Sequence, residues 1–109
     1  MFGLKVTKDS DGCLQDIHWS LGSLGYFPTY TLGNLNAAQL MRRAALDNPS
    51  LDSELARGEY KNLLGWLREK IHRQGQRRKP QELMEQATGE PTQSSYHVEY
   101  LRKKFVVGE

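Results

Sequence analysis

Residues 29–46 read TYTLGNLNAAQLMRRAAL and carry apolar side chains at helical spacing. Pro28 suits the first turn of such a helix, where its missing N–H costs nothing, and Pro49 ends it, because the residue before a proline is pushed out of the helical region. At 100° per residue, Leu35 and Met41 fall on different sides of the helix. The stretch therefore predicts a helix that neighbours cover on several faces.

Further helices follow this one, separated by short breaks. The residues between 59 and 74 form one apolar stripe at helical spacing, and Gly75 then ends the helix. The other predicted helices cover residues 50–57, capped by Ser50 or Ser53, residues 80–88, and a last stretch capped by Thr92 or Ser94. The sequence thus predicts an all-α fold in which an irregular glycine-rich N-terminal segment precedes four or five helices.

Length and composition exclude several classes of protein. The 109 residues suffice for one domain, and the formal net charge is only +2. No apolar run approaches the ~20 residues that cross a bilayer, and the opening residues lack a secretory signal. The single cysteine, Cys13, excludes an internal disulfide and any multi-cysteine metal site. We therefore expect no membrane association and a reducing, cytoplasmic location.

One short stretch is strongly basic. Residues 73–79 read RQGQRRK, and three further basic residues follow near the end of the chain at 102–104. These side chains could contact phosphates, but no aromatic residue lies within the stretch to stack on a base. Solvated helix ends and a loop explain the charges more simply, so we expect no nucleic-acid partner.

Polar and aromatic side chains that can donate hydrogen bonds are concentrated between residues 12 and 38. Asp16 and His18 are two apart, so both can line one side of an extended segment. Tyr26 and Tyr30 are four apart and point the same way if a helix begins near Phe27. Such groups suit a wall that faces a substrate, but the aromatic rings could equally pack in a core and Asp16 could serve a turn. Both interpretations stay open from these patterns alone.

Two motifs in this region resemble those of a known family. Residues 12–19 read GCLQDIHW and match the pattern GxxQDxHW of the carboxypeptidase Taq family of metallocarboxypeptidases. Residues 25–34 read GYFPTYTLGN and resemble the GYFPTYxLGN segment of the same family. The LREKIHRQG stretch and the ATGEP turn also fit its C-terminal end. The resemblance therefore covers essentially the whole chain.

The resemblance implies a mostly helical peptidase that removes single residues from peptide C-termini. Family members bind a divalent metal, zinc or cobalt, through an HExxH helix and a later Glu, and the metal activates a water molecule. By resemblance, His18 with Tyr26 or Tyr30 would supply the donors for the oxyanion of the reaction. Gln15 and Asp16 match motif positions for substrate binding or orientation, and Asp16 would orient His18.

The sequence departs from the family in lacking an HExxH motif. Its histidines, His18, His72 and His97, are separated by 54 and 25 residues, which fits no short pattern of metal ligands. We therefore expect no metal ligands in this chain, and we interpret it as the C-terminal fragment of such an enzyme, without the N-terminal metal-bearing half. Residues 1–28 would form a substrate-facing loop segment and residues 29–109 a helical part.

Two expectations follow from the interpretation as a fragment. The isolated chain should be inactive as a peptidase, because the donors that it supplies have no activated water to assist. Its uncovered helical faces should favour homo-oligomers, such as the homodimer that the resemblance implies. The alternative is a non-catalytic helical interaction module or the truncated product of a shortened gene.

Overall fold

The computed structural model of the protein describes residues 5–106 and confirms the all-α prediction. Helices account for 64% of the described residues, among which there is no strand. Its α-helices are α1 (Phe27–Asp47), α2 (Leu51–Ala56), α3 (Lys61–Lys70), α4 (Pro80–Thr88) and α5 (Ser95–Phe105). Three 3-10 turns accompany them, at Asp9–Asp11, Cys13–Gln15 and His72–Gln74. The irregular character of the whole opening segment stays a prediction, because residues 1–4 lie outside the described part.

The helices end where local backbone signals require it. Gly89 adopts a left-handed φ of 93°, and its N–H donates to the Glu85 carbonyl at 2.8 Å, which closes α4. The helix predicted over residues 59–74 is shorter than expected. Ile71 leaves helical geometry at a φ of −119°, and the chain tightens into the 3-10 turn before Gly75.

Ser50 stands at the cap position of α2, but the predicted capping bond is wrong. Its hydroxyl donates to the Glu54 carboxylate at 2.6 Å, and no backbone N–H donates to it. The amide of Asn62 donates to the same carboxylate oxygen at 2.9 Å, and that of Asn48 to the other at 3.3 Å. These hydrogen bonds, led by that of Ser50, lower the pKa of the buried Glu54 carboxyl.

The chain divides into two compact units, Met1–Thr31 and Leu32–Glu109. The apolar core of the described residues lies in the second unit and is small, consisting of Ala44, Leu51, Met84 and Ala87. Within this unit α1 buries only Gln39 and Ala44, whereas its residues Met41 and Leu46 stay exposed. Neighbours in the described part therefore cover only part of the apolar surface of α1, and its side around Met41 and Leu46 stays exposed.

A buried glutamine joins α1 to the turn between α4 and α5. Gln39 is only 2% exposed, and its amide nitrogen lies 2.8 Å from the Thr88 hydroxyl and 3.1 Å from the carbonyls of Glu90 and Pro91. Its amide oxygen accepts the backbone N–H of Gln93 at 2.8 Å. The side chain thus satisfies polar groups of a turn that lacks regular secondary structure.

The described helices include no candidate for a membrane span, since none combines the required length with enough apolar character.

Candidate active site

The site begins with a local contact between Asp16 and His18. One carboxylate oxygen of Asp16 accepts the backbone N–H of His18 at 2.8 Å and lies 2.5 Å from Nδ1 of its imidazole. An aspartate that bonds the backbone two residues on forms a turn of its own, so the spacing in sequence produces this geometry directly. The contact directs Nδ1 towards the carboxylate and leaves Nε2 free to face another group.

Two tyrosines from the start of α1 complete the cluster. Because α1 begins at Phe27, Tyr26 precedes the helix and Tyr30 lies in its first turn. The Tyr30 hydroxyl lies 3.4 Å from Nε2 of His18. The Tyr26 ring stacks on the imidazole at 5.2 Å and meets the Tyr30 ring edge-on at 5.4 Å. The structure therefore brings Asp16, His18, Tyr26 and Tyr30 together within the first unit.

The cluster is open to solvent on part of its surface. The His18 side chain is 28% exposed, and Tyr26 and Tyr30 are 48% and 51% exposed. Within this chain, these side chains therefore combine close mutual contact with surface that is open to solvent.

The environment keeps the Tyr30 phenol protonated. Desolvation raises the pKa of Tyr30 first, and the negative charges of an ionised Tyr26 and of Asp16 raise it further. A phenol with a raised pKa keeps its O–H as a hydrogen-bond donor at neutral pH. Tyr30 is therefore equipped to donate a hydrogen bond rather than to act as a base.

Asp16 should hold its negative charge into acidic solution. Desolvation alone would raise the pKa of Asp16, but the hydrogen bonds and charge of His18 bring it below the ordinary 3.8. A carboxyl whose pKa is lower in the folded than in the unfolded state stabilises the fold at any pH above its unfolded-state pKa. This stability is lost as the pH falls through its folded-state pKa. We expect carbon NMR to place the midpoint of Asp16 below pH 3.8, and His18→Ala to return it towards 3.8.

The control for this titration is His72→Ala, which removes an exposed imidazole from the other unit and should leave the Asp16 midpoint unchanged. A midpoint at or above 3.8 in the unmodified chain would contradict the interaction between Asp16 and His18.

Gln15 does not join the cluster. Its side-chain amide donates to the backbone carbonyl of Ser10 at 2.5 Å and so joins the 3-10 turn Cys13–Gln15 to Asp9–Asp11. This contact holds the loop that precedes Asp16. A direct role of Gln15 in binding substrate stays a prediction.

Phe27 is the member of the cluster that sequence reasoning missed. Its ring lies 5.2 Å from the His18 imidazole and 6.1 Å from the Tyr30 ring. The predicted start of the helix could have identified Phe27 as a member, because it puts residues 26, 27 and 30 close together at the beginning of α1. An apolar ring carries no chemistry of its own, so the motif alone drew attention to its tyrosine neighbours.

The described part of the chain contains no group of three or more His, Cys, Asp and Glu side chains that could hold a metal ion. The Asp16 carboxylate that contacts His18 is engaged by hydrogen bonds. The cluster thus offers hydrogen-bonding groups, namely one carboxylate, an imidazole and the Tyr30 hydroxyl.

Comparison with known proteins assigns the chain to a class of metallopeptidases. The family model described as carboxypeptidase Taq (M32) metallopeptidase matches residues 1–105. The chain belongs to this family.

Relatives of known name are carboxypeptidases. Thermostable carboxypeptidase 1 of Pyrococcus furiosus is 43% identical over 106 residues, which are 97% of this chain and 21% of the relative. Thermostable carboxypeptidase 1 of Thermus thermophilus is 46% identical over 103 residues, 94% of this chain and 20% of that protein. The chain thus spans about a fifth of the length of these relatives, in agreement with a C-terminal segment.

Solved structures show the same local fold. The M32 carboxypeptidase from Deinococcus radiodurans superposes with a TM-score of 0.84 at 44% identity, covering 94% of this chain and 21% of that one. Metallocarboxypeptidase 1 of Trypanosoma cruzi gives a TM-score of 0.84 at 38% identity, over 95% of this chain and 22% of that one. The helical arrangement is therefore that of a segment of these larger proteins.

Proposed function

We propose that this chain is the C-terminal segment of a metal-dependent carboxypeptidase that removes single residues from the C-termini of peptides in the cytoplasm. Residues 1–28 form its substrate-facing segment and residues 29–109 its helical part. Zinc or cobalt, held by the N-terminal half of the complete enzyme, supplies the activated water. Membership of the carboxypeptidase family supports the reaction class. The contact between His18 and Tyr30 supports the role of this segment, which is to donate hydrogen bonds to the substrate.

The distance between the two donors carries this proposal. Nε2 of His18 and the Tyr30 hydroxyl are 3.4 Å apart. One oxygen atom can therefore lie about 2.8 Å from both, which is an ordinary hydrogen-bond length. A pair of donors on one oxygen is the arrangement that stabilises the charge developing on a carbonyl oxygen when its carbon is attacked. His18 and Tyr30 thus act together on the carbonyl of the bond that is cut.

The protonation of His18 decides whether both donors are available. With its proton on Nδ1 beside Asp16, a neutral imidazole presents a bare Nε2 that accepts the Tyr30 O–H. A second proton turns Nε2 into a donor and releases the Tyr30 O–H for the substrate. The donor pair is therefore complete only in the imidazolium form, and Asp16 acts as the positioning residue that balances its charge.

Tyr30 is the better candidate than Tyr26 for the donating phenol. The Tyr30 hydroxyl is the one that lies within reach of Nε2, whereas the Tyr26 ring stacks on the face of the imidazole. A stacked ring fixes the orientation of its neighbour and does not share its acceptor. Tyr26 therefore acts mainly by holding His18.

An assay for release of C-terminal amino acids tests the function. The complete enzyme that contains this sequence should release them from a short peptide in the presence of zinc or cobalt. The isolated 109-residue chain should release none under the same conditions, because its donors assist a water molecule that it does not activate. If the pure isolated chain released amino acids, and His18→Ala abolished that release, the proposal that this chain supplies only the donors would be wrong.

One observation favours a second candidate, a non-catalytic helical interaction module. Within the second unit, a groove of about 730 Å³ runs between α1 and α5. Its walls include Ala38 and Met41 from α1, and Tyr96 and Tyr100 from α5. An uncovered apolar groove of this kind also supports the proposal that the isolated chain forms homo-oligomers. A reading frame that continues upstream into an HExxH sequence would exclude a free-standing module.

A further inference from the structure

We propose that Phe27 is a positioning residue for His18: its ring, together with that of Tyr26, fixes the plane in which Nε2 faces the Tyr30 hydroxyl. The contribution of this positioning to catalysis rests on the proposed function, because it matters for turnover only if His18 donates to the substrate. The geometry of the imidazole can be measured without any turnover.

Three aromatic rings surround the imidazole of His18. The Tyr26 ring lies almost parallel to it, at 5.2 Å and 19°. The Phe27 ring lies at the same distance with a tilt of 51°, and the Tyr30 ring meets it nearly edge-on at 6.0 Å and 82°. These separations and angles are those of attractive aromatic pairs. The imidazole is therefore restrained by packing as well as by hydrogen bonds.

The hydrogen bonds of His18 do not by themselves fix the position of Nε2. Asp16 holds Nδ1, but it is only two residues away and its carboxylate also binds the His18 backbone, so the two residues can move together. The contact of Nε2 with the Tyr30 hydroxyl is long, at 3.4 Å, and contributes little restraint. The aromatic rings at the start of α1 are left to restrain the imidazole relative to Tyr30.

Phe27 contributes restraint without any competing chemistry. Its ring has no polar atom, so its contact with His18 is pure packing and takes up no donor or acceptor. Its ring is 47% exposed within this chain. It contacts both His18 and Tyr30, at 5.2 and 6.1 Å between ring centres. The same ring therefore sets the positions of both donors.

NMR of the 109-residue chain with labelled histidine tests the positioning directly. In the unmodified chain, the His18 ring protons should show upfield ring-current shifts and nuclear Overhauser contacts to the Tyr30 ring. Phe27→Leu should reduce these shifts and remove most of these contacts, while Phe27→Tyr should retain them. Unchanged contacts between His18 and Tyr30 in Phe27→Leu would overturn the proposal.

Phe105→Leu is the matched control, since Phe105 is an exposed phenylalanine on α5 in the other unit. It should leave the His18 signals unchanged. Unchanged His97 signals in Phe27→Leu show that the second unit is folded, and an Asp16 midpoint that stays below pH 3.8 shows that the first unit keeps its contact between Asp16 and His18. If Phe27→Leu does not fold, Phe27→Met provides the test with a flexible side chain of similar volume.

The complete enzyme provides the second readout. Phe27→Leu should lower kcat about 10- to 100-fold with little change in KM, because displaced donors weaken binding of the transition state more than binding of the substrate. Phe27→Tyr should restore kcat. A loss of the His18 contacts without a loss of kcat would refute the proposed function and leave the positioning intact. Wild-type NMR contacts and wild-type kcat in Phe27→Leu would refute the positioning itself.

Discussion

Replacing His18 with alanine in the complete enzyme is expected to lower kcat by about 10²–10³-fold, the usual effect of removing one oxyanion donor. The value of KM should change little, since the donor acts on charge that develops only in the transition state. Loss of the imidazole also leaves the Tyr30 hydroxyl without the partner that lies 3.4 Å from it. The measurement is steady-state release of C-terminal amino acids from one short peptide.

His72→Ala is the matched control, because His72 is exposed and lies in the 3-10 turn that follows α3. It should leave kcat unchanged. Tyr30→Phe should lower kcat by a similar factor to His18→Ala, and the double variant should lose little more, because the two groups act on one oxygen. Tyr26→Phe keeps the stacked ring and should retain most activity. Equal losses in Tyr26→Phe and Tyr30→Phe would contradict the assignment of Tyr30 as the donating phenol.

Gln39→Leu is expected to destabilise the second unit by about 1–3 kcal/mol. Leucine fills a similar volume but cannot replace the hydrogen bonds, so the Gln93 N–H and the Pro91 carbonyl lose their contacts with Gln39. A fully buried polar group left unsatisfied costs about 1–3 kcal/mol, and these two groups cost less because they are only partly buried and water can reach them. The Glu90 carbonyl still accepts the Thr88 hydroxyl, which limits the loss. The change is a large share of the 5–15 kcal/mol that stabilises a typical domain.

Urea unfolding followed by far-UV circular dichroism measures this effect as a lower midpoint at an unchanged slope. Gln86→Leu is the matched control, since Gln86 is an exposed residue of α4. It should change the free energy of unfolding by less than about 0.5 kcal/mol. If both variants unfold at the same urea concentration, the buried amide network contributes no net stability.

The helices could be predicted from the sequence because their ends depend on neighbouring residues. Pro28, Pro80 and Gly89 act through their own backbone geometry, and the predicted limits of α1 and α4 agree with the structure within about two residues. The end of α3 was predicted less well. The apolar stripe continues to Ile71 although the backbone leaves helical geometry there, and periodicity alone does not detect that change.

The buried polar groups could not be predicted in the same way. Gln39 bonds residues 49 to 54 positions further along the chain, and no local pattern identifies such partners. Ser50 occupies the predicted cap position of α2, but its hydroxyl donates to the Glu54 carboxylate and accepts no backbone N–H of the helix. Side chains of this kind have several possible partners, and the tertiary structure chooses among them.

The candidate site was more accessible to sequence reasoning, because its spacings are short. The separation of two between Asp16 and His18 corresponds to a local turn, and the separation of four brings Tyr26, which precedes α1, against Tyr30 in its first turn. What the spacing did not provide was the arrangement of the rings around the imidazole. That arrangement depends on the path of the loop between His18 and the start of α1. The hydrogen bond from the Ser23 N–H to the His18 carbonyl helps to fix this path.

The two proposed donors, His18 and Tyr30, and the positioning residue Asp16 come from one run of 15 residues. Closing a loop of about ten residues takes about 10–100 ns, and pairings between near neighbours form faster than those between distant segments. We therefore expect the contacts within the cluster to form early in folding. For the same reason a single exchange of a short stretch of gene would transfer the whole set of donors, with their mutual spacing intact, to a related enzyme.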